Sequence, residues 1–294
     1  MKILITGSNG LLGQKLVRQL LKKKCHFLAT SSGKNRNTNC PNSHYETLDI
    51  SCEKDVRIVL KHFAPDYIIH TAAITNVDYC ESNQEECHEI NVVATRYLFE
   101  ESQKLNAHFL LLSTDFVFDG KEGNYCETDQ PKPLSIYGTS KYEAERILTE
   151  SHDSNWSIVR TIIVYGEGIN LSRSNIVLWA REALRKGSPL QIIDDQFRSP
   201  TWADDLAWAC LRICKLNLEG IYHISGPERM PIYDLVKRVG DFYQLETSCV
   251  KRTDSISLNQ SAKRPPITGF DISKAQNDLG YHPKTLEESL HLLS

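Results

Sequence analysis

No apolar run reaches the 18 residues that a membrane-crossing helix needs, and the amino terminus lacks a charged stretch followed by an apolar one and a cleavage site. The chain is therefore expected in the cytoplasm, with no membrane partner. No basic block stands out against a formal charge of −3, which argues against nucleic acid as a partner. The nine cysteines are odd in number, scattered and never spaced Cys-x-x-Cys, so free thiols are expected rather than a disulfide framework. Cys210 and Cys214 stand one helical turn apart, but no histidine or third cysteine lies nearby to complete a ligand set; they read as core, and no metal is expected. Internal repeats and a disordered tail are missing too. What remains is an ordinary globular composition, 40% hydrophobic and 24% charged, in a chain of 294 residues that can hold one α/β domain and a smaller lobe.

The informative residues begin at once. Ile3, Leu4 and Ile5 form a short buried-strand run that meets Gly7, Gly10 and Gly13 before an amphipathic stretch through Leu21. Such a strand–turn–helix unit holds a dinucleotide pyrophosphate at the helix N-terminus. Gly7 permits the tight turn, Gly10 lets the main chain approach the phosphates, and Gly13 lets the helix pack close to the strand. An NAD site of this kind places an acid about 20 residues further on to hold the ribose 2′-hydroxyl. Here no acid occurs between Gly13 and Glu46. Instead the exit of the second strand, Cys25 to Thr30, offers Ser31, Ser32, Lys34 and Arg36, which can bond and neutralise a 2′-phosphate. NADP(H) is favoured over NAD(H).

Strand and helix patterns then alternate: strands at Tyr45 to Ile50, Tyr67 to Ala73 and Phe109 to Leu112, helices at Val56 to Phe63 and over 84–107. That alternation implies an α/β, Rossmann-type doubly wound parallel sheet. Ala72 and Ala73 leave room for a cofactor across the strand ends, whereas His70 precedes the exit and reads as a packed core histidine. After the fifth strand comes Ser113 to Gly120, polar residues where such a sheet opens its ligand crevice. Tyr137 to Lys141 opens a helix running from Tyr142 to Thr149, and the spacing of four places Tyr137 and Lys141 on one face. A free tyrosine titrates near pKa ~10, and lowering it by ~3 units takes ~4 kcal/mol of preferential phenolate stabilisation. A lysine one turn away and an oxidised nicotinamide can supply that charge. Tyr137 can then give a proton to a carbonyl oxygen that the Thr114 hydroxyl also holds. Further helices are expected over 174–186, 204–215 and 233–245, a strand over 220–226, and a polar loop from Lys251 to Pro266 over the substrate pocket. The expected division is a cofactor domain over 1–165, to which 195–225 returns, and a mainly substrate-binding lobe over 166–294.

GSNGLLG at the start, STDFVFDG at 113–120 and YGTSK at 137–141 resemble the extended short-chain dehydrogenase/reductases, in the branch that contains dTDP-4-dehydrorhamnose reductase. TNVDYCE at 75–81, Asn91, Arg160-Thr161, Val164-Tyr165-Gly166, the DQ..SPT..DLA pattern at 195–207 and Arg264-Pro265 extend the likeness over almost the whole chain. By that resemblance Thr114, Tyr137 and Lys141 are the catalytic triad. Gly7, Asn9, Gly10, Leu11, Leu12, Asp49, Ile50 and Ala72 match the family's cofactor contacts. Asp115, Phe116, Arg198 and Arg264 are assigned to the substrate side. Dehydratases of the superfamily carry Thr-Asp-Glu where this chain has Thr114-Asp115-Phe116, so loss of water is disfavoured; epimerases share the triad. The resemblance implies reduction of a keto group on a nucleotide-linked sugar. An alternative within the same branch is a cofactor-binding regulator like the methionine adenosyltransferase β subunit, whose motif carries Asn where Asp115 stands. Relatives pair as homodimers through helices matching 88–107 and 141–150. Two departures stand out: Ile162-Ile163 replaces a usual Ser-Trp, and Phe197-Arg198-Ser199 replaces a small pair, where Arg198 is open to either a diphosphate clamp or a surface ion pair.

Overall fold

The computed structural model describes residues 1–152, 155–258 and 260–293. Residues 153 and 154 of the expected cofactor domain, 259 of the expected loop and 294 of the expected second lobe lie outside the described residues.

Apolar runs alternating with amphipathic helices build the sheet. The chain passes through β1 (Lys2–Thr6), α1 (Leu11–Lys22), β2 (His26–Ser31), β3 (Tyr45–Thr47), α2 (Glu53–Phe63) and β4 (Tyr67–His70). Then α3 (Val77–Ser82), α4 (Gln84–His88) and α5 (Ala94–Lys104) lead to β5 (His108–Thr114), and α6 (Ile136–Thr149) leads to β6 (Trp156–Thr161). There follow β7 (Val164–Tyr165), α7 (Ile176–Arg185), β8 (Leu190–Ile193), β9 (Phe197–Arg198), β10 (Thr201–Trp202), α8 (Ala203–Leu216) and β11 (Gly220–Ile224). The chain ends through β12 (Met230–Pro231), α9 (Ile232–Phe242), β13 (Val250–Thr253), α10 (Ser273–Leu279) and α11 (Leu286–Leu290).

Seven strands make one parallel sheet in the order β11-β6-β5-β4-β1-β2-β3. The order reverses between β1 and β4, and a crevice opens beyond the carboxyl ends of the strands at such a point. Ile3, Leu4 and Ile5 are wholly buried because helices cover both faces, which is why β1 reads as an unbroken apolar run. One core joins α1 and α8 to the sheet, and another joins α2, α5 and α6 to its other side. A separate hydrophobic cluster is built from α7, α9, β8 and β13, with Val177, Leu184, Leu235 and Val239 inside it.

Several elements differ from the sequence pattern, among them the strand expected over Tyr45 to Ile50, which ends at Thr47. The long helix over 84–107 is interrupted by a π-helical turn at Glu89–Val93, where Asn91 turns inward to bond the backbone of Ile74. β4 ends at His70 rather than Ala73, since residues 71–73 peel away toward the glycine turn. The segment from Lys251 is not all loop, because β13 pairs in parallel with β8.

Candidate active site

The glycine turn takes the form that its spacing demands. Gly7 lies at φ +70°, and a Cβ there would meet the Ala72 nitrogen at 2.7 Å; one on Gly13 would meet the Gly7 carbonyl oxygen at 2.5 Å. Gly7 therefore lies against the chain just beyond β4, and the first turn of α1 lies against the Gly7–Ser8 backbone, so closely that only glycine fits at either position. Leu11 and Leu12 open α1, and Asn9 pins the neighbouring loop over the turn. Its Nδ2 donates to the Lys34 carbonyl at 3.0 Å, and its Oδ1 accepts the Arg36 N–H at 2.8 Å. Ser31 ends β2, and Ser32 and Lys34 are exposed beside it. Asp49 is exposed and accepts the Ser51 N–H and hydroxyl; Ile50 beside it is buried. Ala72 borders the turn just beyond β4, and Ala73 follows it, half-buried.

Across the crevice, Ser135 caps α6 by accepting the Gly138 N–H. A Cβ on Gly138 would lie 2.3 Å from the Phe116 carbonyl oxygen, so this residue lets α6 close onto the end of β5. The whole segment from Ile136 is helical, and Tyr137 and Lys141 share its inward side, 8% and 3% exposed. The Thr114 hydroxyl lies close enough to the Tyr137 phenol to favour its ionised form. Phe116 packs edge-on to the Tyr137 ring at 5.7 Å, and buried Cys80 and Cys87 pack beside it. Asn91 Nδ2 donates to Ser140 Oγ at 3.0 Å, tying the exit of β4 to α6.

Burial governs the charges. It pushes the Tyr137 phenol well above its usual range; the Thr114 hydroxyl and Arg173 act against it, while Asp115 adds to it. Burial also brings the Lys141 amine down to about 8 against the attraction of Glu145. The expected lowering of the phenol by the lysine is thus not met in the protein alone, because desolvation outweighs the neighbouring charges. His70 is wholly enclosed, bonded to Thr6 at 2.7 Å and Thr95 at 3.1 Å, and held down to about 3 by burial and by Lys141.

The substrate-side residues separate. Asp115 and Phe116 sit beside the triad, but Asp115 turns inward to Thr268 and Arg198. Arg198 is 2% exposed and is neither a surface ion pair nor open to a diphosphate, since its donors are engaged by carbonyls of Phe197, Pro265 and Pro266. Arg264 pairs with Asp78 at 2.6 Å at the rim. Arg173 reaches from the segment before α7 to Thr75 Oγ1 at 2.5 Å. Ile163, where relatives have Trp, takes φ +34°, a strained value for a β-branched residue. Sequence reasoning missed Thr268, which no local pattern connects to Asp115; Ser113, at the strand end it singled out, has a buried hydroxyl with no partner among the described residues.

A family model described as the RmlD substrate binding domain matches residues 1–293. A dTDP-4-dehydrorhamnose reductase from Aggregatibacter actinomycetemcomitans is 30% identical over 306 residues, covering 98% of this chain and 97% of that one. Methionine adenosyltransferase 2 subunit beta from Xenopus tropicalis is 30% identical over 280 residues, covering 94% and 81%. The crystal structure of dTDP-4-dehydrorhamnose reductase from Bacillus anthracis in complex with NADP superposes with a TM-score of 0.86 at 27% identity, covering 99% and 98%.

Proposed function

Because this chain belongs to the RmlD substrate binding domain family, we propose that it is an NADPH-dependent reductase of a keto group on a nucleotide-linked sugar. It is an NAD(P)-dependent oxidoreductase of the extended short-chain dehydrogenase/reductase kind. The observation that supports the finer reading is that α6 carries Tyr137 and Lys141 on one inward side, with Thr114 at the end of β5 beside Tyr137.

The residues present fit a dinucleotide. Gly7, Asn9, Gly10, Leu11, Leu12 and Gly13 would hold its pyrophosphate, and Asp49, Ile50, Ala72 and Ala73 would flank its adenosine half. Ser31, Ser32, Lys34 and Arg36 would receive a 2′-phosphate, and the hold of Asn9 on that loop keeps both cations near the turn. When bound, the reduced nicotinamide supplies hydride to the carbonyl carbon. The phenol of Tyr137, kept protonated by its burial, donates its proton to the carbonyl oxygen. With substrate bound, the Thr114 hydroxyl would turn from Asp115 Oδ1 to donate to the same oxygen. Lys141 brings a cation beneath the site that stabilises the phenolate left behind. Phe116 closes one wall and keeps water from the reacting atoms.

The test is turnover against a panel of 4-keto nucleotide sugars, followed by absorbance of NADPH. Tyr137→Phe is expected to cut kcat by about 10³-fold, within the range of a lost general acid, with NADPH affinity nearly intact. A Tyr137→Phe enzyme at the wild-type rate removes Tyr137 from the role of acid. A second reading, a cofactor-binding regulatory subunit, is favoured by the relatives named methionine adenosyltransferase 2 subunit beta. Stoichiometric purification with a larger catalytic partner, together with no NADPH oxidation across the panel, selects that reading instead.

A further inference from the structure

The carboxylate next to the catalytic threonine does not face the crevice. Asp115 is 2% exposed, and its two oxygens divide their work. Oδ1 accepts the Thr114 hydroxyl at 3.0 Å. Oδ2 accepts the Thr268 hydroxyl at 2.5 Å and lies 3.6 Å from Nε of Arg198. A hydroxyl has one proton to give. While Thr114 gives it to Asp115, the threonine oxygen accepts the Phe116 N–H at 3.2 Å, and the two bonds together fix its rotamer.

Both partners of Oδ2 are held by further hydrogen bonds. Arg198 Nη1 donates to the carbonyls of Phe197 and Pro266 at 2.8 and 3.2 Å, and Nη2 to that of Pro265 at 2.6 Å. Its guanidinium also lies 5.8 Å from the centre of the Phe116 ring that packs on Tyr137. Thr268 is fully buried, and its own N–H bonds the Phe197 carbonyl at 3.0 Å. β9 and the segment 265–268 are thus stapled together, and both converge on one carboxylate oxygen. To clamp a substrate diphosphate, Arg198 would have to abandon three carbonyls and a buried anion, which is costly.

We propose that Thr268 and Arg198 are positioning residues for proton transfer: by pinning the Asp115 carboxylate they fix the rotamer of Thr114, the hydroxyl beside the proton donor Tyr137. The proposal rests on Tyr137 being the acid of the preceding reading. It gives the second half of the chain a role in the chemical step as well as in substrate binding.

Thr268→Val removes the O–H and keeps the volume, while Thr268→Ser keeps the O–H. Both variants are compared with wild type for kcat, KM, NADPH affinity by fluorescence, thermal unfolding, and the Thr114 rotamer in crystals of the NADP complex. Thr268→Val is expected to lose kcat by about tenfold, the scale of a misdirected catalytic group, with KM and NADPH affinity within about twofold. Thr268→Ser is expected to restore kcat, and Thr114 is expected to rotate in the valine variant alone. A valine variant with wild-type kcat overturns the proposal, as does one that loses NADPH binding and folding together with kcat, since the role is then only structural. If the wild-type protein turns over no nucleotide sugar, the reductase reading fails, and the crystals still decide: a Thr114 rotamer unchanged in Thr268→Val overturns the positioning.

Discussion

Replacing Lys141 by methionine should make the protein more stable at neutral pH while destroying its chemistry. Lys141 forms no ion pair or hydrogen bond among the described residues, and only Glu145 and Cys87 act to favour its charge, with His70 held neutral nearby. Burial lowers its pKa from the ordinary 10.5 to about 8. Between those two values the unfolded chain binds more protons than the folded one, so stability rises with pH across that window. At pH 7 the amine is charged in both states, and the folded state bears the full penalty. A displacement of about 2.5 units at about 1.36 kcal/mol each makes about 3 kcal/mol, a ceiling for what removal of the amine returns. Methionine matches the length of the lysine stem and suits a buried site beside Cys87. Guanidinium unfolding of cofactor-free wild type and Lys141→Met at pH 7 and pH 9.5 tests this. The variant should be more stable at pH 7, the gain should shrink at pH 9.5, and NADPH oxidation should be lost. A variant less stable than wild type at pH 7, or a gain of equal size at both pH values, would refute the reasoning that burial rather than pairing sets the state of Lys141.

Two further expectations follow from other parts of the molecule. Lys34→Ala combined with Arg36→Ala should raise the KM for NADPH about tenfold or more, the loss of roughly one charge-assisted contact, with little change for NADH; equal effects on both cofactors would remove the loop from 2′-phosphate recognition. Arg160 and Glu145 form a fully buried bidentate pair at 3.0 and 2.6 Å. Arg160→Met strands the carboxylate and should cost about 3–5 kcal/mol in denaturant unfolding, most of which Glu145→Leu in the same chain should return.

How much could be read from residues alone follows from the range of the interactions involved. The glycine turn was legible because its constraints are local: Gly7 and Gly13 meet backbone a few residues or one strand away, and spacing encodes that directly. Tyr137 and Lys141 were legible because four residues is one turn of helix. The π-turn at Glu89–Val93 was not, since it adds a single residue to a helical pattern that remains apolar on the right side. β13 was not either, because Lys251 and Arg252 are exposed and give the alternation of a strand no apolar partner.

The fate of Arg198 shows why the substrate side is harder to read than the cofactor side. An arginine in a loop rich in polar residues has the same appearance in sequence whether it meets a phosphate, solvent or a buried acid. What decides is which backbone comes to rest around it, and here the 265–268 segment supplies two carbonyls and a threonine hydroxyl while the end of β5 supplies Asp115. The cofactor side is built from main chain held by glycines, so its recognition elements are conformations that the local sequence dictates. The other side is built from side chains of two lobes meeting across more than a hundred residues, with Thr268 lying 153 positions beyond the carboxylate it holds. A substitution at Thr268 or Arg198 should therefore act on turnover through Thr114 without touching the glycine turn, and NADPH affinity measured beside kcat separates the two halves of the site.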